Sequence, residues 1–206
     1  MARIGLFGGT FDPVHTGHMA LAEQVRRTME LDRIILLPAG NPPHKPKKDI
    51  TDKMHRFRML EIAAKSHPYF VVSDYEMRKE TPNYSYQTIT DFKNMYPDDE
   101  IFFIVGGDSF ADFPKWKEYR KLLALCPFIV VSRPGVASES YFENFCGDET
   151  PPRVFFIRDA AYDISSTRVR SLLLAGEDPA TLLPEGVAAY IKEHRLYENT
   201  GVNHAL

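Results

Sequence analysis

Residues 4–18 read "IGLFGGTFDPVHTGH", from Ile4 to His18. A short apolar run, Ile4–Phe7, passes directly into two glycines, a proline and two histidines three residues apart. Glycines at a strand end let the backbone turn where side chains would clash, and let a ligand approach main-chain N–H groups. Imidazoles donate hydrogen bonds near neutral pH. If a helix begins near Thr16 or Gly17, its N–H groups and positive dipole end face the loop, which suits phosphate. The stretch therefore marks a place where an anion sits.

The same grammar repeats along the chain. Apolar or β-branched runs recur at Ile4–Phe7, Ile34–Leu37, Phe70–Val72, Ile101–Val105, Phe128–Val131 and Val154–Ile157. Most are continuous rather than alternating, as expected for strands covered on both faces of a parallel sheet. Helical patterns lie between them. Residues 18–30 place His18, Ala22, Val25 and Met29 on one stripe that faces the sheet, and 52–65 place Phe57, Leu60, Ile62 and Ala64 on a broader one. Helices are also predicted over 85–95, 116–125 and, after Pro184, 184–194. This alternation specifies an α/β fold: a doubly wound, Rossmann-like, mostly parallel sheet flanked by helices. The stretch Pro134–Pro152 reads as an insertion or long loop, and 199–206 as a flexible tail.

Unusual polar residues follow the runs. "PAGNPPHKPKK" succeeds the second, "GGDS" the fourth, "SRPG" the fifth and "DISSTRVR" the sixth. In open α/β sheets ligands bind outside the carboxyl ends of the strands, and those ends carry the chemistry here.

Bulk properties narrow the function classes. A chain of 206 residues buries a real core, most simply as one domain. Its composition, 44% hydrophobic and 26% charged, is that of an ordinary globular protein. A net charge of −3 argues against general nucleic-acid binding and leaves room for a local basic site. Two cysteines, Cys126 and Cys146, make neither a disulfide framework nor a CxxC zinc site. No run approaches the roughly 18 apolar residues of a membrane span, and the opening residues are too few for a signal peptide. A reduced, cytoplasmic setting is expected, and a homo-oligomer is left open.

Two segments hold the candidate chemistry. A lone histidine such as His18 on a helical stripe is more often a satisfied core residue, but His15 on the same loop turns the balance toward phosphate contact. A metal pair would need a third ligand of suitable type beside them, and none is there. In "ISSTRVR", Ser165 or Ser166 can cap a helix, and a plain N-cap with two surface arginines would look the same. Spacing separates those arginines. Arg170 shares a face with Ser166 and Thr167, whereas Arg168 lies about 200° around the axis from Ser166. Arg170 is the phosphate candidate.

At these residues the sequence resembles a known family. "GGTFDPVHTGH" is similar to the GxFDPxHxGH signature of the nucleotidyltransferase superfamily, and Ile164–Arg170 resembles its ISSTxxR motif. "NPPHK" at Asn41–Lys45, "PNYSYQT" at Pro82–Thr88, "GGDSF…FPKW" at Gly106–Trp116 and "SRPG" at Ser132–Gly135 resemble the bacterial nicotinate-nucleotide adenylyltransferases. The resemblance spans roughly residues 2–195. It implies one nucleotidyltransferase domain over 1–198, with ATP and nicotinate mononucleotide as substrates and deamido-NAD and pyrophosphate as products. Magnesium is implied as a bridge between phosphates, with no protein ligand named.

The resemblance also implies roles. His15, His18 and Arg170 neutralise charge on the α-phosphate, with no protein nucleophile needed because the mononucleotide's own phosphate attacks. Gly8, Gly9, Thr10, Phe11, Gly106, Asp108, Ile164, Ser165 and Ser166 take the ATP side, Asp108 on a ribose hydroxyl. Lys45, Tyr84, Ser85, Trp116 and Arg133 take the mononucleotide side. There Trp116 stacks on the ring, and Ser85, a serine where relatives can carry threonine, receives the ring carboxylate. Pantetheine-type adenylyltransferases share the opening signature but are typically shorter and lack the "PNYS…GGDS…W" set, and a cytidylyltransferase is a more distant alternative. A non-catalytic nucleotide-binding module would have lost part of one phosphate motif, and here neither histidine nor Arg170 is lost.

Overall fold

A computed structural model describes residues 1–41, 50–80, 84–131, 153–157 and 164–198. Lys45, Arg133, the stretch 134–152 and the tail 199–206 lie outside the described residues. Six strands, β1 (Arg3–Gly9), β2 (Arg33–Pro38), β3 (Phe70–Val72), β4 (Glu100–Gly106), β5 (Phe128–Val131) and β6 (Val154–Ile157), form one sheet in the order β3-β2-β1-β4-β5-β6. Every ladder is parallel. All six predicted runs lie within these strands.

The continuous apolar runs have a two-period cause. Along β4, Ile101, Phe103 and Val105 enter one core, while Phe102 and Ile104 enter the other. β2 and β5 divide in the same way, Ile34 and Leu36 against Ile35 and Leu37, and Ile129 and Val131 against Phe128 and Val130. Gly5 in β1 is a packing requirement. A Cβ there would lie 2.8 Å from Leu31 Cδ1 and 2.9 Å from Ile104 Cδ1.

The helices are α1 (Thr16–Thr28), α2 (Lys53–Ala64), α3 (Ser85–Met95), α4 (Gly107–Ala111), α5 (Tyr119–Leu125), α6 (Ser166–Leu174) and α7 (Val187–Glu193), with 3-10 turns at Phe113–Lys115 and Ala180–Leu182. Most predicted bounds hold within two or three residues. The sequence predicts no helix at α4, where five residues are too few for periodicity to register.

The predicted stripe of α2 needs correction. The buried side is Arg56, Met59, Leu60, Ala63 and Ala64, and Phe57 and Ile62 are only half-buried. The true stripe has the i, i+3, i+4, i+7 spacing of a core-facing helix, but an arginine stands at its first position. Hydrophobicity alone therefore turned the face sideways.

Candidate active site

In the sheet order, the chain proceeds from β1 to β2 and β3 on one side and from β4 to β6 on the other. The reversal falls between β1 and β4, where helices leave for opposite faces and a crevice opens. Gly8 and Gly9 end β1 on one wall of that crevice, and Gly106 ends β4 on the other.

The glycines play different parts. A Cβ on Gly8 would meet only Phe103 Cζ, at 3.9 Å, and one on Gly106 would meet nothing within 4 Å. Both therefore present bare backbone to open space. A Cβ on Gly9 would lie 2.9 Å from Phe11 Cζ, because the Phe11 ring fills the side-chain space of Gly9. The left-handed residue of this loop is Phe11, with φ of 50°, and neither glycine. The expectation that glycine makes the turn is corrected: Phe11 turns, and Gly9 makes room for its ring. Phe11 as a residue is only 2% exposed, so its ring is closed to a nucleotide.

His15 and His18 cap α1 reciprocally. The His18 N–H donates to Nδ1 of His15 at 3.3 Å, and the His15 N–H donates to Nδ1 of His18 at 3.2 Å. The rings stack with centroids 3.6 Å apart. A neutral imidazole whose Nδ1 accepts carries its proton on Nε2. The cap thus selects one tautomer in both rings and makes each Nε2–H a donor. His15 is buried and His18 half-buried, its ring edge-on to Phe11 at 5.0 Å.

Helix α6 closes on the same loop. Ser165 is its N-cap, accepting from the Arg168 N–H at 3.2 Å, which decides between the two serines. Ser166 Oγ donates to the Pro13 carbonyl at 2.9 Å. Arg170 donates to the Asp12 carbonyl at 2.6 Å and to Thr167 Oγ1 at 3.3 Å, while Arg168 is exposed. The two arginines leave the helix in different directions, as their spacing predicts.

A cavity of about 370 Å³ opens beside the loop. It gathers Gly8, Gly9, Thr10, Gly106, Tyr84, Ser85 and Trp116 from the predicted set. His15, His18, Phe11, Ile164, Ser165, Ser166 and Arg170 are not in its wall; they form the second cluster, joined to the first through residues 10–13. Asp108 falls in α4. Ser85 is the first residue of α3, whose N-terminus has no side-chain cap, so its positive end is suited to an anion. Trp116 packs on Phe113 and Phe103, with centroids at 5.2 and 6.4 Å, and also lines the cavity. It is core and cavity wall at once.

Several residues here escaped the sequence. Glu76, Ser109, Lys115 and Lys117 join the cavity wall. Glu76 accepts from Thr88 Oγ1 at 2.8 Å, and burial raises its pKa above the usual carboxylate value. Asp12 is buried and accepts from the Tyr197 hydroxyl at 2.6 Å. Burial, then the Asp12 charge, push the Tyr197 pKa up, so that hydroxyl stays a donor. Arg56 is 1% exposed and gives its guanidinium to three main-chain carbonyls. Its place on the apolar stripe of α2 was the available signal; Tyr197 had none. Cys126 is buried and its thiol is pushed up to about 12, so it offers no thiolate. Among the described residues no three His, Cys, Asp or Glu gather as a metal cluster, and no helix is long and apolar enough to cross a membrane.

A parallel α/β sheet with two helix starts brought together beside its switch point has the build of a nucleotidyltransferase, and the family described as cytidylyltransferase-like matches residues 6–172. The nicotinate-nucleotide adenylyltransferase of Bacillus subtilis (strain 168) is 39% identical over 199 residues, covering 97% of this chain and 100% of that one. The chain belongs to the nicotinate-nucleotide adenylyltransferase family. In fold it is similar to Plasmodium falciparum nicotinic acid mononucleotide adenylyltransferase complexed with NaAD, with a TM-score of 0.80 at 22% identity over 96% of this chain and 98% of that one. The same enzyme complexed with APC gives a TM-score of 0.77 at 21% identity, again over 96% and 98%.

Proposed function

We propose that this chain transfers the adenylyl group of ATP to nicotinate mononucleotide, giving deamido-NAD and pyrophosphate in NAD biosynthesis, in the cytoplasm. The observation that carries the reading is the reciprocal imidazole cap, which fixes both histidine rings at the start of α1 beside the switch-point cavity. A phosphate oxygen of the mononucleotide attacks the α-phosphorus of ATP. The bond from that phosphorus to the bridging oxygen breaks, and pyrophosphate leaves.

Catalysis of this kind is positioning and charge neutralisation. His18, the more open ring, contacts the α-phosphate, and His15 adds the second donor. Arg170 reaches the phosphates with the donors not engaged on Asp12 and Thr167, since a guanidinium carries five N–H groups. Gly8, Gly9, Thr10 and Gly106 offer main-chain approach to ATP, together with Phe11, Ile164, Ser165 and Ser166, and Asp108 takes a ribose hydroxyl. On the other side Trp116 stacks on the ring. Tyr84, Ser85 and the uncapped start of α3 receive the carboxylate. Lys45 and Arg133 stay with the mononucleotide side on sequence grounds alone.

The site's N–H groups and imidazoles suit phosphate oxygens, and magnesium takes oxygen ligands, which the nucleotide's phosphates supply. Magnesium therefore belongs on the phosphates of the nucleotide, where it would neutralise charge between them.

The test is the ratio of kcat/KM for nicotinate and nicotinamide mononucleotides, read as pyrophosphate release with saturating ATP. Donors built for a carboxylate lose partners against an amide, about 1–3 kcal/mol each, so two mismatches predict a preference between about thirtyfold and about 10⁴-fold. Trp116→Ala should weaken mononucleotide binding far more than ATP binding. A ratio near one, or one favouring the amide, would overturn the substrate assignment.

A further inference from the structure

We propose that Arg56 is a positioning residue for catalysis: its buried guanidinium sets the peptide planes of the phosphate loop and of the loop after β2. The inference rests on the reading of residues 8–18 as the phosphate site. Arg56 Nε donates to the Thr51 carbonyl at 2.9 Å, one terminal nitrogen to the Thr10 carbonyl at 2.7 Å, and the other to the Ala39 carbonyl at 2.7 Å. The three acceptors belong to three segments: Thr10 follows β1, Ala39 follows β2, and Thr51 precedes α2. Thr10 and Ala39 both stand in the cavity wall.

The grip is closed from the other side. Asp12, two residues past Thr10, accepts from the Thr51 N–H at 3.3 Å. The peptides flanking Thr51 are thus bound by Arg56 through the carbonyl and by Asp12 through the N–H. The Ala39 N–H donates to the Gly9 carbonyl at 2.9 Å, so the two loops gripped by Arg56 are also tied to each other. Residues 10–12 cannot shift without breaking one of these bonds.

The carbonyl contacts have a directional consequence. In a trans peptide the C=O and the following N–H point opposite ways. Holding the Thr10 and Ala39 carbonyls on the guanidinium therefore turns the N–H groups of Phe11 and Gly40 away from it. Those are main-chain donors in the very loops assigned to the nucleotides.

Packing alone does not account for an arginine here. Its neighbours on the stripe are Met59, Leu60 and Ala63, and burying a cation is expensive unless it is fully paired. An aliphatic side chain would fill such a position more cheaply. What it could not do is hold three carbonyls in one plane, which is the property of the guanidinium fork.

The experiment compares Arg56→Lys and Arg56→Gln with Leu60→Ala, a core truncation one turn further along α2. Each variant is assayed at a temperature where circular dichroism shows it folded, with kcat and both KM values measured by pyrophosphate release. Lysine keeps the charge without the fork, and an ångström of misplacement can remove about a hundredfold of rate. The expected result for either Arg56 variant is a kcat lower by about that factor, with KM values within about threefold. Leu60→Ala, with a comparable fall in Tm, should keep its kcat once folded. A folded Arg56→Lys whose kcat is within threefold of the parent overturns the proposal. So does failure of both Arg56 variants to fold, which would make the residue one of stability. His18→Ala is run alongside. If it turns over normally, the phosphate-site reading itself has failed; if it is inactive while Arg56→Lys is normal, only the positioning role is lost.

Discussion

The two glycines that end β1 should respond to the same substitution in opposite ways. In Gly9→Ala the new methyl would lie 2.9–3.2 Å from three atoms of the Phe11 ring. That ring is buried, and its residue already holds a φ of 50°, so neither side chain nor backbone has room to yield. Overpacking of this kind costs about 1–3 kcal/mol. For a chain of this size that corresponds to a fall in Tm of roughly 2–12 °C. The Phe11 ring also stands edge-on to His18, so its displacement reaches the His15–His18 cap. In Gly8→Ala the methyl meets one atom at 3.9 Å, and strand alanine is favoured over glycine by about 0.5–1 kcal/mol. Stability should hold or rise slightly. The methyl instead enters the cavity, where a substrate would approach the main chain. Losing one hydrogen bond to a charged group is worth about 1.5–3 kcal/mol, so KM for one substrate should rise roughly ten- to a hundredfold. Thermal melts and steady-state pyrophosphate release on the two variants make the comparison. Equal losses of Tm, or an unchanged KM in Gly8→Ala, would refute the division of labour between the glycines.

Removing one preorganised donor lowers turnover about 10²–10³-fold in comparable sites, so His18→Ala should lose that much while its circular dichroism stays that of the parent. Arg170→Ala should cripple adenylyl transfer, and Arg168→Ala should matter much less; equal losses in the two would contradict the helix register. Glu23, hydrogen-bonded by Arg26 and flanked by Arg27, has its pKa lowered from 4.5 to about 2. Its depressed value means that the stabilisation is complete above pH 4.5 and lost as pH falls toward 2. Glu23→Gln should therefore lower Tm at pH 7 and converge with the parent near pH 2, as paired melts across that range will tell.

The sheet was legible because its strands are covered on both faces, and two-sided burial writes itself as unbroken apolar runs. The site was legible where a motif concentrates several residues on one loop, as with His15 and His18, or where helical spacing separates two like residues, as with Arg168 and Arg170. Contacts between distant segments were not. Tyr197 meets Asp12 across nearly the whole chain, and nothing in its neighbourhood announces that bond. Glu76 and Lys117 reach the cavity from loops without periodicity. Arg56 was hidden for a different reason. Sequence patterns treat arginine as surface, and only three carbonyls facing one point reveal why it lies inside. The turn at Phe11 was misassigned because glycine is the usual tenant of the left-handed region, and here the ring's packing overrules that preference.

The position of β1 bears on the order in which this molecule is built. Ile4 is registered with Arg33 on one side and with Ile101 on the other. The first pairing closes a short span of chain, and the second must wait until a much longer loop has been brought back. Such distant closures are the slow steps of folding, since the entropy of the loop is lost before the contacts form. The crevice between β1 and β4 exists only after the slower closure. A nascent chain that has paired β1 with β2 already holds the loop of residues 8–18 and both histidines, yet has no place to put a nucleotide. Competence to bind substrate should thus arrive late, and a ligand that traps the closed crevice would act as a clamp on the last pairing to form.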